Sequence, residues 1–192
     1  EAIAVVGQTG ASREVINPPG LAEPEHHSML VKAGNVVYIC GLCAWDPDGN
    51  IVGPADAASQ ATQLYANLDV CLRAAGATRE DVVKTTTFLT HPSYLASIRT
   101  ARDSFYGPNP PTSAAIIVSH LANPRAVLEI ESIAVIGEEK HYLNPEDQSK
   151  PTGFTKVITA GNMAYVAGLV GNDRSGMVIG IGDPDAQIAQ LY

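Results

Sequence analysis

The chain has 192 residues, with 12 Lys and Arg against 20 Asp and Glu, and a formal net charge of −8. Its cations are scattered, which argues against a surface that tracks nucleic-acid phosphates. The composition (45% hydrophobic, 17% charged) is that of an ordinary globular protein, and no apolar run reaches the roughly 18 residues of a membrane-spanning helix, so neither nucleic acid nor membrane is expected as a partner.

In chain order, Ser28 to Leu42 holds two β-branched runs around Ala33-Gly34-Asn35, which predicts a hairpin. Asp46-Pro47-Asp48-Gly49 is a strong turn, and a short strand is expected at Asn50–Val52. A helix is predicted over Asp56–Ala75. There Ala61, Leu64, Tyr65, Leu68, Cys71, Leu72 and Ala75 recur at three- and four-residue spacing, and Gly76 is a natural stop.

Val82–Leu89 is rich in strand formers. Pro92 opens a second helix with Leu95, Ile98, Ala101, Arg102 and Phe105 on one face, and Gly107-Pro108-Asn109-Pro110-Pro111 closes it. Strands are predicted at Thr112–Ser119 and Ala126–Val135. The order β-β-β-α-β-α-β-β predicts a two-layer α+β sandwich with helices on one sheet face. The other face needs a cover. Ile116 and Val118 are assigned to it, and equivalent faces of other copies, in a trimer-like assembly, are the natural partners.

The chain also repeats itself. Gly34-Asn35-Val36-Val37-Tyr38 realigns with Gly161-Asn162-Met163-Ala164-Tyr165, a shift that carries position 34 onto position 161. The same shift carries Gln60-Ala61-Thr62-Gln63-Leu64-Tyr65 onto Gln187-Ile188-Ala189-Gln190-Leu191-Tyr192. Glu1–Gly7 matches Glu131–Gly137. A period this long is a whole domain rather than a solenoid unit. The expected organisation is the end of one unit at 1–7, a linker at 8–25, a complete domain at 26–137, a linker at 138–152, and a further domain begun at 153–192. The last breaks off inside a predicted helix, so a longer tandem protein is expected.

Several signals carry no chemistry. Cys40-Gly41-Leu42-Cys43 has redox-motif spacing but lies on a predicted strand, where residues three apart face opposite ways. Gly180-Ile181-Gly182 lacks the third glycine of a dinucleotide loop. No His, Cys, Asp and Glu set has metal-ligand spacing. Three cysteines do not make a disulfide framework, and the first residues lack a signal-peptide pattern, so a cytoplasmic setting is expected.

The stretches Gly34-Asn35 with Tyr38–Gly41, Gln60-x-x-Gln63-x-x-x-Asn67-Leu68, Ala74-Ala75-Gly76, Asp81–Thr86, Pro110-Pro111-Thr112-Ser113 and Val127–Ala134 run together across residues 27–136. In this order they resemble the YjgF/Rid family, also called endoribonuclease L-PSP. The resemblance implies a chorismate-mutase-like fold, a trimer or pseudo-trimer with clefts between subunits, and cofactor-free hydrolysis of small imines and enamines such as 2-aminoacrylate.

It also implies site residues. Glu129 falls on the glutamate that positions water and can act as general base. His27 falls where the family carries a pocket-closing tyrosine, Gly41 on the glycine whose backbone faces the substrate, and Arg99 on a helix position that bears an amide in some members. Thr112 stands where the family's arginine grips a substrate carboxylate, so that bidentate grip is missing here. Ala114, in the same stretch, completes the substrate-binding set. Glu131 shares the Glu129 face.

The expected function is thus a Rid-like hydrolase or deaminase that adds water to a small imine, enamine or amide metabolite, without metal or organic cofactor. The alternative is a non-catalytic binding or assembly module of a tandem protein.

Overall fold

The structure, a computed structural model, describes residues 12–146 and 148–191. Glu1–Gly7, expected to end a preceding unit, lie outside the described residues.

The predicted hairpin forms from β2 (Leu30–Ala33) and β3 (Val36–Leu42), paired antiparallel with Ala33 opposite Val36. Gly34 takes the left-handed φ of 62° that this two-residue turn requires. A strand outside the prediction, β1 (Arg13–Ile16), pairs with β2 inside the segment expected to be a linker. Its four residues are mostly exposed and carry no alternating pattern, so only the neighbouring strand defines it. The expected strand at Asn50–Val52 contracts to a single bridge between Ile51 and Trp45. Asp46 causes this: its Oδ1 accepts from the amides of Asp48 (3.0 Å) and Asn50 (2.8 Å), closing the turn on itself. The order β-β-β-α-β-α-β-β survives with a different first strand.

Helix α1 (Ala57–Ala74) starts at Asp56, whose side chain accepts from the amides of Ala58 and Ser59, and gives way to Gly76 at φ 73°. β4 (Val82–Leu89) follows, then α2 (Leu95–Tyr106), then β5 (Thr112–Ile117) parallel to β4. β6 (Leu128–Val135) returns to the centre, antiparallel to both β3 and β4. The sheet order is β1-β2-β3-β6-β4-β5.

Both helices cover one sheet face, over a core of Val37, Ile39, Leu42, Leu64, Leu68, Leu72, Leu128 and Ile130. Leu68 is completely buried in it. Leu68→Ala is expected to cost about 2–5 kcal/mol of folding stability, the cavity and transfer cost of such a truncation, read by urea unfolding.

The opposite face meets a second sheet. β7 (Lys140–Leu143), β8 (Val157–Ala160) and β9 (Met163–Val166) pair antiparallel in that order. Ile158, Ala160 and Tyr165 pack on Val83 and Val135, flanked by Val36 and Ile133. Ile116, expected to meet another copy, takes no part in this contact and is exposed on the edge strand. β7, β8, β9 and α3 (Pro184–Leu191) start at Lys140, Val157, Met163 and Pro184. The shift that carries position 34 onto 161 also carries the starts of β1, β2, β3 and α1, at Arg13, Leu30, Val36 and Ala57, onto these four positions. The Asp46 turn recurs at Asp173, whose Oδ1 accepts from the amides of Ser175 (2.8 Å) and Met177 (3.0 Å).

Between the two sheets, Lys140 Nζ donates to Asp81 Oδ1 at 3.1 Å with both side chains largely shielded. Lys140→Ala is expected to cost about 1–2 kcal/mol, between the limits for exposed and buried pairs, read as a lower unfolding midpoint. High salt should leave most of that difference in place.

Candidate functional site

Leu128 and Ile130 point into the helix-covered core, so strand alternation turns Glu129 to the other face. There it is half-buried, opposite Phe88 of β4. On its other side, the β3–β6 register slips between Ile39 and Leu42, and Gly41 sits in the slip. A Cβ on Gly41 would strike Glu129 Oε1 and lie 2.9 Å from its Cδ. The carboxyl therefore occupies the space that this glycine leaves empty.

Cys43, buried at the end of the slip, places its Sγ 3.6 Å from Glu129 Oε2. Burial holds the Glu129 carboxyl above the usual range; the Cys43 thiol bond pulls it down and the nearby Glu131 charge pushes it up. Burial and the same carboxylate push the Cys43 thiol up to about 12 and the Cys40 thiol up to about 11. At neutral pH both cysteines are thiols, able to donate a hydrogen bond but poor as nucleophiles. All three cysteines are free. As expected, Cys40 and Cys43 face opposite ways: the Cys40 thiol lies against Met29 in the helix-covered core, and the Cys43 thiol meets Glu129 on the other face.

The remaining expected site residues do not gather here. Thr112 is fully buried, and its Oγ1 donates to the Val83 carbonyl at 2.8 Å. Ala114 faces the second sheet, where a Cβ on Gly168 would come 3.0 Å from its own Cβ. Gly168 is the counterpart of Gly41 in the repeat, and its amide donates to the Ser113 carbonyl at 3.1 Å. His27 is exposed in the loop before β2, and Arg99 is exposed on α2, in the layer across the sheet from Glu129. Glu129 and Gly41 thus form one niche, while Thr112 and Ala114 belong to the contact with the second sheet.

Residues missed by sequence reading are Cys43, which meets Glu129, and the α1 amides Gln60, Gln63 and Asn67, which bond to the backbone leading to the niche. Their signal was available, since Gln60 and Asn67 fall in step with Leu64 and Cys71 on the apolar face of α1. Among the described residues, no group of three or more His, Cys, Asp and Glu is placed to hold a metal. Among the same residues, no helix is long and apolar enough to cross a membrane. A separate groove of about 780 Å³ runs between α1 and α2, lined by small residues such as Ala58, Thr62, Ala96 and Thr100, and none of the expected site residues line it.

The family model described as endoribonuclease L-PSP matches residues 20–136. A RutC family protein of Pyrococcus horikoshii is 34% identical over 109 residues, covering 56% of this chain and 85% of the relative. The crystal structure of a Rid-family protein of unknown function from Yersinia pestis superposes with a TM-score of 0.62 at 27% identity, covering 65% of this chain and all of that one. A RidA structure from an Antarctic Psychrobacter gives a TM-score of 0.59 at 32% identity, covering 64% of this chain and 98% of that one.

Proposed function

Because this chain belongs to the endoribonuclease L-PSP (YjgF/Rid) family, we propose that it is a hydrolase that adds water to the C=N bond of a small imine, including the imine tautomer of an enamine. The observation that carries this reading is the Glu129 carboxyl, half-buried in the niche that Gly41 leaves open and held above its usual proton affinity. Such a group exchanges a proton near neutral pH more readily than an exposed carboxylate. In its acid form Glu129 gives a proton to the imine nitrogen, which makes the carbon more electrophilic. The carboxylate left behind takes a proton from the attacking water. Collapse of the carbinolamine expels ammonia and leaves a carbonyl compound, so one imine and one water become one carbonyl and one ammonia. The reading invokes no metal and no organic cofactor.

The Thr112 hydroxyl is already committed to Val83, and a hydroxyl offers no charge for a carboxylate. Substrates without a carboxylate, or with a carboxylate held by another unit, fit this reading best. The same reading takes residues 26–137 as the complete domain and 153–192 as the start of a further one, each sheet being extended by a strand, β1 or β7, from the segment expected as a linker before it. Its support is the side of each unit that is covered. Ile39, Leu42, Cys43 and Ile51 are buried, while their repeat counterparts Val166, Leu169, Val170 and Val178 are exposed. In a trimer-like or pseudo-trimeric assembly, the Gly41 niche would be closed by the β5 turn of another unit, in the way that Ser113 and Ala114 meet Gly168. A cytoplasmic setting fits the free thiols.

Ammonia release from freshly generated 2-aminoacrylate and from an uncharged imine, followed with the full chain, tests the activity. Acceleration of the uncharged imine alone supports the reading and explains Thr112. Absence of acceleration with both overturns it in favour of a binding or assembly module, which the commitment of Thr112 also favours.

A further inference from the structure

Two buried amides on α1, in the layer across the sheet from Glu129, hold the two chain segments that lead to its niche. Asn67 Nδ2 donates to the carbonyls of Cys43 (3.1 Å) and Trp45 (2.9 Å), and Asn67 Oδ1 accepts from Gln63 Nε2 (2.9 Å). Gln60 Nε2 donates to the carbonyls of Gly53 (3.2 Å) and Arg125 (2.9 Å), and Gln60 Oε1 accepts from the Val127 amide (2.8 Å). Cys43 carries the thiol that meets Glu129, and Val127 lies two residues before Glu129 on the chain. Both amides are buried and have every polar group partnered, at helix positions where leucine would pack without such demands.

The thiol itself is not needed for the loop to fold. Val170 stands in the repeat where Cys43 does, yet the bridge between Asn172 and Val178 reproduces the bridge between Trp45 and Ile51. Gln187 likewise repeats the bond of Gln60, donating to the Gly180 carbonyl at 3.1 Å.

We propose that Gln60, Gln63 and Asn67 are positioning residues for Glu129, holding Cys43 on one side and Val127 on the other so that the thiol hydrogen bond to the carboxyl is kept. Its catalytic meaning rests on the proposed hydrolase reading, whereas its geometry is testable without any substrate. The groups facing Glu129 are Cys43 just after β3, Glu131 along β6 and the uncharged Phe88 from β4, with the Cys40 thiol of β3 in electrostatic reach. Of these, only the Cys43 thiol donates a hydrogen bond to it. Losing that bond disfavours the carboxylate and raises the titration midpoint.

The test is a ¹³C-carboxyl NMR titration of Glu129 in the full chain, with its signal identified by loss in Glu129→Gln. Cys43→Val, the residue found at position 170, is expected to raise the midpoint by about half a pH unit or more. Cys43→Ser, a stronger donor, should lower it. Asn67→Leu should raise it as Cys43→Val does, and the double variant should go no further, because both act through one hydrogen bond. Should Asn67→Leu fail to fold, Gln63→Leu removes the partner that orients Asn67 and is expected to give a smaller rise. An unchanged midpoint in Cys43→Val overturns the proposal. So does a lowered unfolding temperature with an unchanged midpoint in the amide variants, which would make the amides merely structural. Failure of imine hydrolysis in the native chain would remove the hydrolase reading and leave this titration result standing.

Discussion

Glu129→Gln is expected to lower the accelerated rate of ammonia release by about 100-fold or more, the usual scale of a positioned acid–base group. Glutamine keeps the shape of the side chain in the Gly41 niche but cannot exchange a proton. The native rate should also fall as pH rises through the raised Glu129 midpoint, because the acid form that protonates the imine is then lost. Stability should move the opposite way. A carboxyl whose folded midpoint lies above its unfolded value favours the folded state below the unfolded value and loses that contribution as pH rises through the folded one. Glu129→Gln should therefore unfold at a higher temperature than the native chain at pH 7 and at a similar temperature at pH 4. A variant that is inactive yet more stable at pH 7 separates chemistry from unfolding. A variant with native activity would sink the assignment of Glu129.

Gly41→Ala is expected to reduce the same rate by about 10- to 100-fold, since misplacing a reacting group by about 1 Å costs that much. Gly41 is not among the glycines with left-handed φ, so alanine meets no backbone penalty there. The added methyl instead strikes the Glu129 carboxyl, which must swing away from its niche and from the Cys43 thiol. The measurement is kcat with the unfolding temperature taken alongside. A near-native unfolding temperature with a depressed kcat is the expected pair. Native kcat would mean that the carboxyl works from some other position.

The α+β order, the two long helices α1 and α2 and the four longer strands were legible because their apolar residues recur with clean periods. α1 shows this best: its buried residues are predicted ones plus Ala57 and the two amides. β1 and β7 were not legible, since four-residue edge strands with exposed side chains take their definition from a neighbouring strand. The Asn50–Val52 expectation failed because the Asp46 side chain competes with the ladder for backbone amides. Within the site, Glu129 and Gly41 were identified individually from the family motifs. Cys43 is not legible as part of the site, because its contact with Glu129 depends on the register slip in β3.

What the sequence alone determined, then, is which residues are buried together and which family's pattern they follow, because periodicity and motif order are properties of the chain itself. It also carried the internal repeat, from which the recurrence of strands and turns could be anticipated. Tertiary structure alone decided how the site residues divide. Thr112 and Glu129 lie on strands separated by β4, and the second sheet settles on β5, so one residue is sealed into a contact while the other stays in an open niche. The proton affinity of Glu129 belongs to the same class, because it depends on how much water, how close a thiol and how near a second carboxylate the folded chain leaves around one oxygen pair.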